Sequence, residues 1–285
     1  MINGRIDLHM HSTVSDGTDT PEELLRRVRE EGITIFSVTD HDAIKSAQLI
    51  PQRLSEGDPR FISGVEFSCR DEEGRYHILG YRYNPLSDAM KEIVGKGHRI
   101  RMEKAQARMA LLGEEFGFSF SKEDTEALLS LNNPGKPHIG NLMVQYGYAV
   151  TKDEAIDRYI NKLHYRSKTV RPEEAIDAIL SAGGIPVLAH PSFGDGSQLI
   201  VGDEMEKRVR KLVEMGLKGI EVFYSGFSKE LREEALSFAE KFDLYVTAGS
   251  DYHGKNKSIP LGKTGLSPED ALPEGLVRFL EDTQY

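Results

Sequence analysis

The stretch Asp7-Leu8-His9-Met10-His11-Ser12, DLHMHS, puts two histidines one residue apart near the start of the sequence. In a strand, successive side chains alternate between faces, so Ile6, Leu8 and Met10 point one way while Asp7, His9 and His11 point the other. The two imidazoles then stand about 6.5 to 7 Å apart, close enough to lean onto one cation beyond the strand end. An isolated His-x-His also fits two half-buried histidines on an amphipathic strand, so the remaining sequence decides its meaning.

Further strand-like runs occupy 33–41, 60–68, 75–83, 184–190, 219–225 and 243–253. Helical patterns lie between most of them. In "TPEELLRRVREEG", Thr20 reads as the N-cap, Pro21 as the first helical residue and Gly32 as the stop, and "RPEEAIDAILSAGG" repeats the device with Pro172 and Gly183. Strand–helix alternation predicts parallel pairing with right-handed crossovers, and seven strands predict an α/β fold: a distorted seven-stranded (β/α)7 barrel. Only "CRDEEG" joins the third and fourth runs, which therefore read as a hairpin. Residues 85–170 carry helical patterns without a strand. This divides the chain into a first barrel part at 1–84, a helical insertion or cap at 85–170 and a second barrel part at 171–285, with the insertion expected over the barrel mouth.

The 285 residues carry a net charge of −10, against nonspecific gripping of a nucleic-acid backbone but compatible with a local basic pocket. One cysteine, Cys69, precludes an intrachain disulfide and a thiolate-rich zinc site, and reads as a small buried residue. There is no charged-then-apolar leader pattern and no run approaching the roughly 18 apolar residues of a membrane span. A soluble cytoplasmic protein is expected.

Six of the nine histidines lie on or just after strand runs: His9, His11, His41, His77, His190 and His253. Asp16, Glu66 and Asp251 accompany them. Barrel strands converge at their C-terminal ends, so these nine residues can meet at one mouth. Imidazole and carboxylate without sulfur suit zinc, manganese or iron, and nine ligands exceed the needs of one ion. Two to three divalent transition metals are expected, with Glu66 as a bridge. Metals about 3.5 to 4 Å apart can activate water and clamp a phosphoryl oxygen.

The motifs "DLHMHS", "SDG", "TDHD", "GVEFS", "YHILGY", "LAHP" and "GSDYHG" occur in an order that resembles the polymerase and histidinol phosphatase (PHP) family, over nearly the whole barrel. The resemblance implies a distorted seven-stranded barrel, usually three metals, and phosphate-ester hydrolysis by metal-bound hydroxide. It implies one metal on His9, His11, Glu66 and Asp251, a second on Glu66, His77 and His190, and a third on Asp16, His41 and His253. Glu66, Asp251 and His253 are the expected catalytic residues. The arrangement is similar to the subfamily acting on nucleoside 3′,5′-bisphosphates and phosphoribosyl cyclic phosphates. Alternatives are a histidinol-phosphate-type phosphatase, an exonuclease on short oligonucleotides, or a non-catalytic accessory module. Amidohydrolase-type C–N hydrolysis also begins with His-x-His, but usually needs a bridging lysine, and none lies on the seven strand runs.

The expected partner is a small phosphorylated substrate, with neither a stable nucleic-acid complex nor a membrane; subunit number is left open. In "NNPGKPHIGNL", Lys136 and His138 stand at a helix entrance, a ready anion site. Arg158 and Arg166 are further substrate-binding candidates. Arg101, Lys104 and Arg108 share one helical face and read as a solvated charged stripe. Asp40 and Asp42 are expected to orient His41, His98 and His164 to be exposed, and Glu221 in "GIEVFY" is left outside the site.

Overall fold

The structure, a computed structural model, describes residues 5–165, 168–195, 198–267 and 271–284. Among the described residues, eight strands lie in two sheets. In the first, β1 (Arg5–Asp7) pairs in parallel with β2 (Ile33–Phe36), which pairs in parallel with β3 (Arg60–Phe61). The second runs in the order β4 (Gly64–Arg70), β5 (Arg75–Tyr81), β6 (Ile185–Leu188), β7 (Gly219–Tyr224) and β8 (Tyr245–Gly249).

This differs from the expected seven-stranded barrel in two ways. Ile62 and Ser63 interrupt the third run and split it into β3 and β4. The hairpin β4–β5 is antiparallel as expected, but β5–β6 is antiparallel too, and only β6–β7–β8 continue in parallel. The two sheets meet through single backbone bonds rather than continuous ladders. Along one seam Leu8 N donates to Ala248 O (2.8 Å) and Asp251 N to His9 O (2.7 Å); along the other Asp42 N donates to Glu66 O (2.9 Å).

The helices follow the local signals. Between β1 and β2, α1 (Pro21–Glu30) begins with the Thr20–Glu23 capping box and Pro21, and Gly32 follows with φ +64°. The short α2 (Lys45–Leu49) precedes β3. Between β5 and β6 come α3 (Asp88–Phe116), α4 (Lys122–Leu129), α5 (Lys136–Gln145), α6 (Lys152–Arg158) and α7 (Pro172–Ser181). No strand falls among the described residues from 82 to 184; one isolated bridge joins Val170 to Cys69. The chain ends through α8 (Gly202–Glu214), α9 (Lys229–Lys241) and α10 (Glu274–Asp282). None of the described helices is long and apolar enough to cross a membrane.

Among the described residues, three apolar clusters result. The largest lies between the five-stranded sheet and its helices, and includes Leu8, Phe67, Leu79 and Phe279. Met10 belongs to a second cluster with Phe36 and Leu24 from α1. The opening stretch thus anchors its apolar side chains in two cores while holding His9 and His11 between them. A third cluster, with Leu112, Ile139 and Met143, packs the helices α3 to α6 among themselves. Helix α3 crosses close to Asp42 at Gly97, where a Cβ would meet the Asp42 Cβ and Oδ1 at 3.0 Å.

Strand β1 ends at Asp7, whose carboxylate ties distant parts of the chain together. It accepts from Ser250 N (2.9 Å) and Ser250 Oγ (2.6 Å), both buried, and from the half-buried Gly262 N (2.8 Å). Asp7→Ala leaves these donors without an acceptor and is expected to lower stability by about 2 kcal/mol or more, read as a lower urea midpoint at unchanged slope. An unchanged midpoint would show that water replaces the carboxylate.

Candidate metal centre

Short polar segments just past the strands carry the candidate residues to one place. His9 and His11 follow β1, His41 follows β2, His190 follows β6, and Asp251 and His253 follow β8. Glu66 and His77 come from the β4–β5 hairpin, and Asp16 from the loop before α1. Three of these turns use left-handed backbone at non-glycine residues: Asp42 (φ +49°), His190 (φ +26°) and Asp251 (φ +58°). Such conformations persist where the surroundings over-determine them.

Glu66 is the hub, with 1% of its side chain exposed. Its Oε1 lies 2.8 Å from His77 Nδ1 and 3.2 Å from His190 Nε2. Its Oε2 lies 3.3 Å from His9 Nε2, 3.1 Å from His11 Nε2 and 3.2 Å from His41 Nδ1. Asp251 Oδ1 is 3.5 Å from His9 Nε2 and 3.4 Å from His11 Nε2. Asp16 Oδ1 is 3.4 Å from His253 Nε2. The nine residues therefore converge.

Their polar atoms are in contact but poorly hydrogen-bonded. His9 Nε2, His11 Nε2, His41 Nδ1, Asp16 Oδ1 and Glu66 Oε2 are buried without a hydrogen-bond partner. Buried polar atoms are ordinarily satisfied, and nitrogen and oxygen lone pairs converging in this way are a metal's donor set. Among the described residues, three groups have ligand atoms within 4.8 Å of one another: His9, His11, Glu66 and Asp251; His41, Glu66 and His77; and His11, Asp16, His41 and His253. The first matches the expected set. His41 joins the second, with His190 beside it, and His11 joins the third. The residues present fit divalent cations.

Electrostatics agree. Burial alone would raise the Glu66 carboxyl, but the surrounding imidazoles, His77 foremost, outweigh it and hold it well below the usual carboxylate range. Burial likewise works against the charge of Asp16, and His253 and His41 reverse that effect. The carboxylates stay ionised where a cation needs them.

Two supporting residues escaped the sequence reading. Glu221 is fully buried on β7; its Oε1 takes the His9 Nδ1–H at 2.9 Å and its Oε2 accepts from His190 N at 2.8 Å. This fixes the His9 tautomer so that Nε2 faces the cluster. A carboxylate between Ile220 and Val222 in an apolar strand was the available signal. Lys257 Nζ lies 2.5 Å from Asp251 Oδ2, which also accepts from Tyr224 Oη at 3.0 Å. Asp40 binds Ser12 and Ser15 and Asp42 binds Arg101, so neither touches the His41 ring as expected; Asn133 Nδ2 instead donates to His41 O at 2.6 Å. His98 and His164 are exposed.

A cavity of about 890 Å³ opens from the cluster toward α3 and α5, lined by Asp16, His41, His77 and His253 at one end. Lys136 lines it, with its ammonium 2.7 Å from Asn161 Oδ1. His138 is absent from the lining, and its Nδ1 accepts from Gly135 N (3.0 Å) at the start of α5. Arg158 is absent from the lining; it pairs with Glu154 and its side chain is 66% exposed. Arg166 lies outside the described residues.

The PHP domain pattern matches residues 7–179. The chain belongs to the PHP family. It is 30% identical over 269 residues to the 5′-3′ exoribonuclease Rnm of Salmonella typhimurium, covering 90% of this chain and 88% of that protein. It is 29% identical to the phosphoribosyl 1,2-cyclic phosphate 1,2-diphosphodiesterase of Eggerthella lenta (89% and 96% covered) and 28% identical to the 3′,5′-nucleoside bisphosphate phosphatase of Chromobacterium violaceum (87% of each). A solved protein of Bifidobacterium adolescentis, described as a candidate metal-dependent phosphoesterase, superposes with a TM-score of 0.83 at 26% identity, covering 98% of this chain and 96% of that one. The PHP chain is accordingly a metal-dependent phosphoesterase, a phosphoric ester hydrolase.

Removing the charge behind His9 tests the supporting role of Glu221. Glu221→Gln is expected to weaken metal retention about 10- to 100-fold, the usual cost of losing such a partner, in chelator-competition titrations. Unchanged affinity would show that His9 needs no partner to present Nε2.

Proposed function

We propose that this PHP enzyme hydrolyses a phosphate ester of a small nucleotide or phosphorylated ribose that carries a second anionic group, using two or three divalent ions of manganese, zinc or iron. The observation that carries the reading is the cavity: Asp16, His41, His77 and His253 of the cluster line it, and so do the cations Arg101, Lys104, Arg108 and Lys136. Relatives named for a nucleoside bisphosphate, a phosphoribosyl cyclic phosphate and RNA all act on phosphorylated ribose. Small anions suit a pocket of this volume, and the net charge of −10 disfavours a lasting complex with long nucleic acid.

Divalent ions seated on the cluster would supply Lewis acidity toward a phosphoryl oxygen and a more acidic water. The chain's own residues hold charge and orientation. Glu66 offers both oxygens, one toward His77 and His190, the other toward His9, His11 and His41, as a bridging carboxylate requires. Asp251 is fixed by Lys257 and Tyr224, so its Oδ1 remains directed at His9 and His11. Burial works against its charge, but Lys257 and the imidazoles of His9 and His253 hold its carboxyl well below the usual range, which suits it to bind a cation rather than donate a proton. His253 lines the cavity with Nδ1 2.9 Å from Asp251 O and Nε2 3.4 Å from Asp16 Oδ1, so both ring nitrogens are engaged in the cluster, and in this reading the leaving oxygen takes its proton from water.

Three measurements test this. Manganese-supplemented protein should release phosphate from nucleoside bisphosphates or ribose cyclic phosphates in a substrate screen; failure on every phosphate ester would remove the proposal. Glu66→Ala should lose more than one metal equivalent in elemental analysis, whereas a loss of one or none would contradict a bridge. Lys136→Ala should weaken kcat/KM for a doubly phosphorylated substrate by about 1 to 3 kcal/mol while sparing p-nitrophenyl phosphate. Equal losses on both would make Lys136 a support of the fold or the cluster.

A further inference from the structure

The charged stripe on α3 does not face solvent. Arg101, Lys104 and Arg108 all line the cavity. Their partners differ. The Arg101 guanidinium is neutralised and held: Nε donates to Asp42 Oδ2 (2.8 Å) and Nη2 to Ser68 Oγ (3.0 Å), beside His41. Among the described residues, neither Lys104 nor Arg108 has an ion pair with a carboxylate. The Arg108 Nε is buried without a hydrogen-bond partner, and its guanidinium lies 6.0 Å from the Tyr165 ring centre, an aromatic wall rather than a counter-charge.

An unpaired cation in a cavity wall is costly unless something anionic visits it. Burial, with Arg101 and Arg108 adjacent, pushes the Lys104 ammonium down to about 8. Burial, with Arg108 and Arg75 nearby, pushes Lys136 down to about 8 as well. The lining carboxylates away from the cluster are already engaged: Asp195 is paired with Arg75, Asp42 with Arg101 and Asp153 with Lys152. The field inside is positive and under-compensated.

Spacing separates this region from the metal cluster. Arg101 and Arg108 are seven residues apart on one continuous helix, a rise of about 10 Å, and Arg101 is the end next to His41. An anion on Lys104 and Arg108 is therefore a different group from the one at the metals. We infer that Lys104 and Arg108 form a seat for a second phosphate of the substrate, remote from the ester that is cleaved, and so determine specificity. This rests on the phosphoesterase reading. The seat's chemistry fits the distal phosphate of a nucleoside bisphosphate and the internucleotide phosphate of a short oligonucleotide alike.

The test compares wild type, Lys104→Gln/Arg108→Gln and the charge-keeping Lys104→Arg in manganese-supplemented protein. Substrates are p-nitrophenyl phosphate, adenosine 3′,5′-bisphosphate and a 5′-phosphorylated trinucleotide. The double variant should lose about 10- to 100-fold in kcat/KM on the substrate that uses the seat, mostly through KM, and stay within twofold on p-nitrophenyl phosphate; Lys104→Arg should retain most activity on both. Loss on the bisphosphate alone names the distal phosphate as the occupant, and loss on the trinucleotide alone names the internucleotide phosphate. Equal losses on p-nitrophenyl phosphate, or no loss on either larger substrate, would overturn the inference. Calorimetric binding of a non-hydrolysable bisphosphonate analogue of adenosine 3′,5′-bisphosphate separates the two readings. Tight binding that the double variant loses, without hydrolysis of any ester by wild type, would sink the proposed function and keep the seat.

Discussion

The arrangement depends on one buried carboxylate. Five imidazole nitrogens lie within 3.3 Å of the two Glu66 oxygens, and they come from β5 and from the segments that follow β1, β2 and β6. Imidazoles packed this closely in a dry cleft repel whenever they carry protons, and a carboxylate alone in the same cleft bears a large desolvation penalty. Each makes the other tolerable, and a cation would relieve both. The rest follows outward: Asp16 and Asp251 repeat the pattern at the flanks, Glu221 holds His9 and His190 from behind, and left-handed turns at His190 and Asp251 aim the side chains inward.

Much of this was legible in the sequence, because helix ends and polar strand ends are local signals. The Thr20 cap, Pro21 and Gly32 bound α1 where their chemistry requires, and Pro172 and Gly183 do the same for α7. Strand direction is not local. The antiparallel β5–β6 pair depends on the end from which α3 to α7 return the chain, and periodicity carries no direction. The two-residue break at Ile62 and Ser63 likewise leaves no mark in an apolar run.

The site divides in the same way. Histidines and carboxylates at strand ends announce themselves by spacing, and the structure gathers all nine. Glu221 does not, since a lone carboxylate in an apolar strand has two faces to choose from. The α3 stripe was misjudged for a related reason: helical spacing tells which residues share a face, not what lies opposite. Here a cavity and Tyr165 lie opposite Arg108 rather than bulk water.

Gly97 sets the clearance between that helix and the catalytic floor. With no side chain, α3 rests almost directly on Asp42, and the Arg101 guanidinium can reach both Asp42 and Ser68. Any larger residue at 97 would act as a shim under the helix, raising the ceiling of the cavity and pulling Arg101 off its anchors. One atom beneath the helix thereby gauges how large a guest the pocket admits.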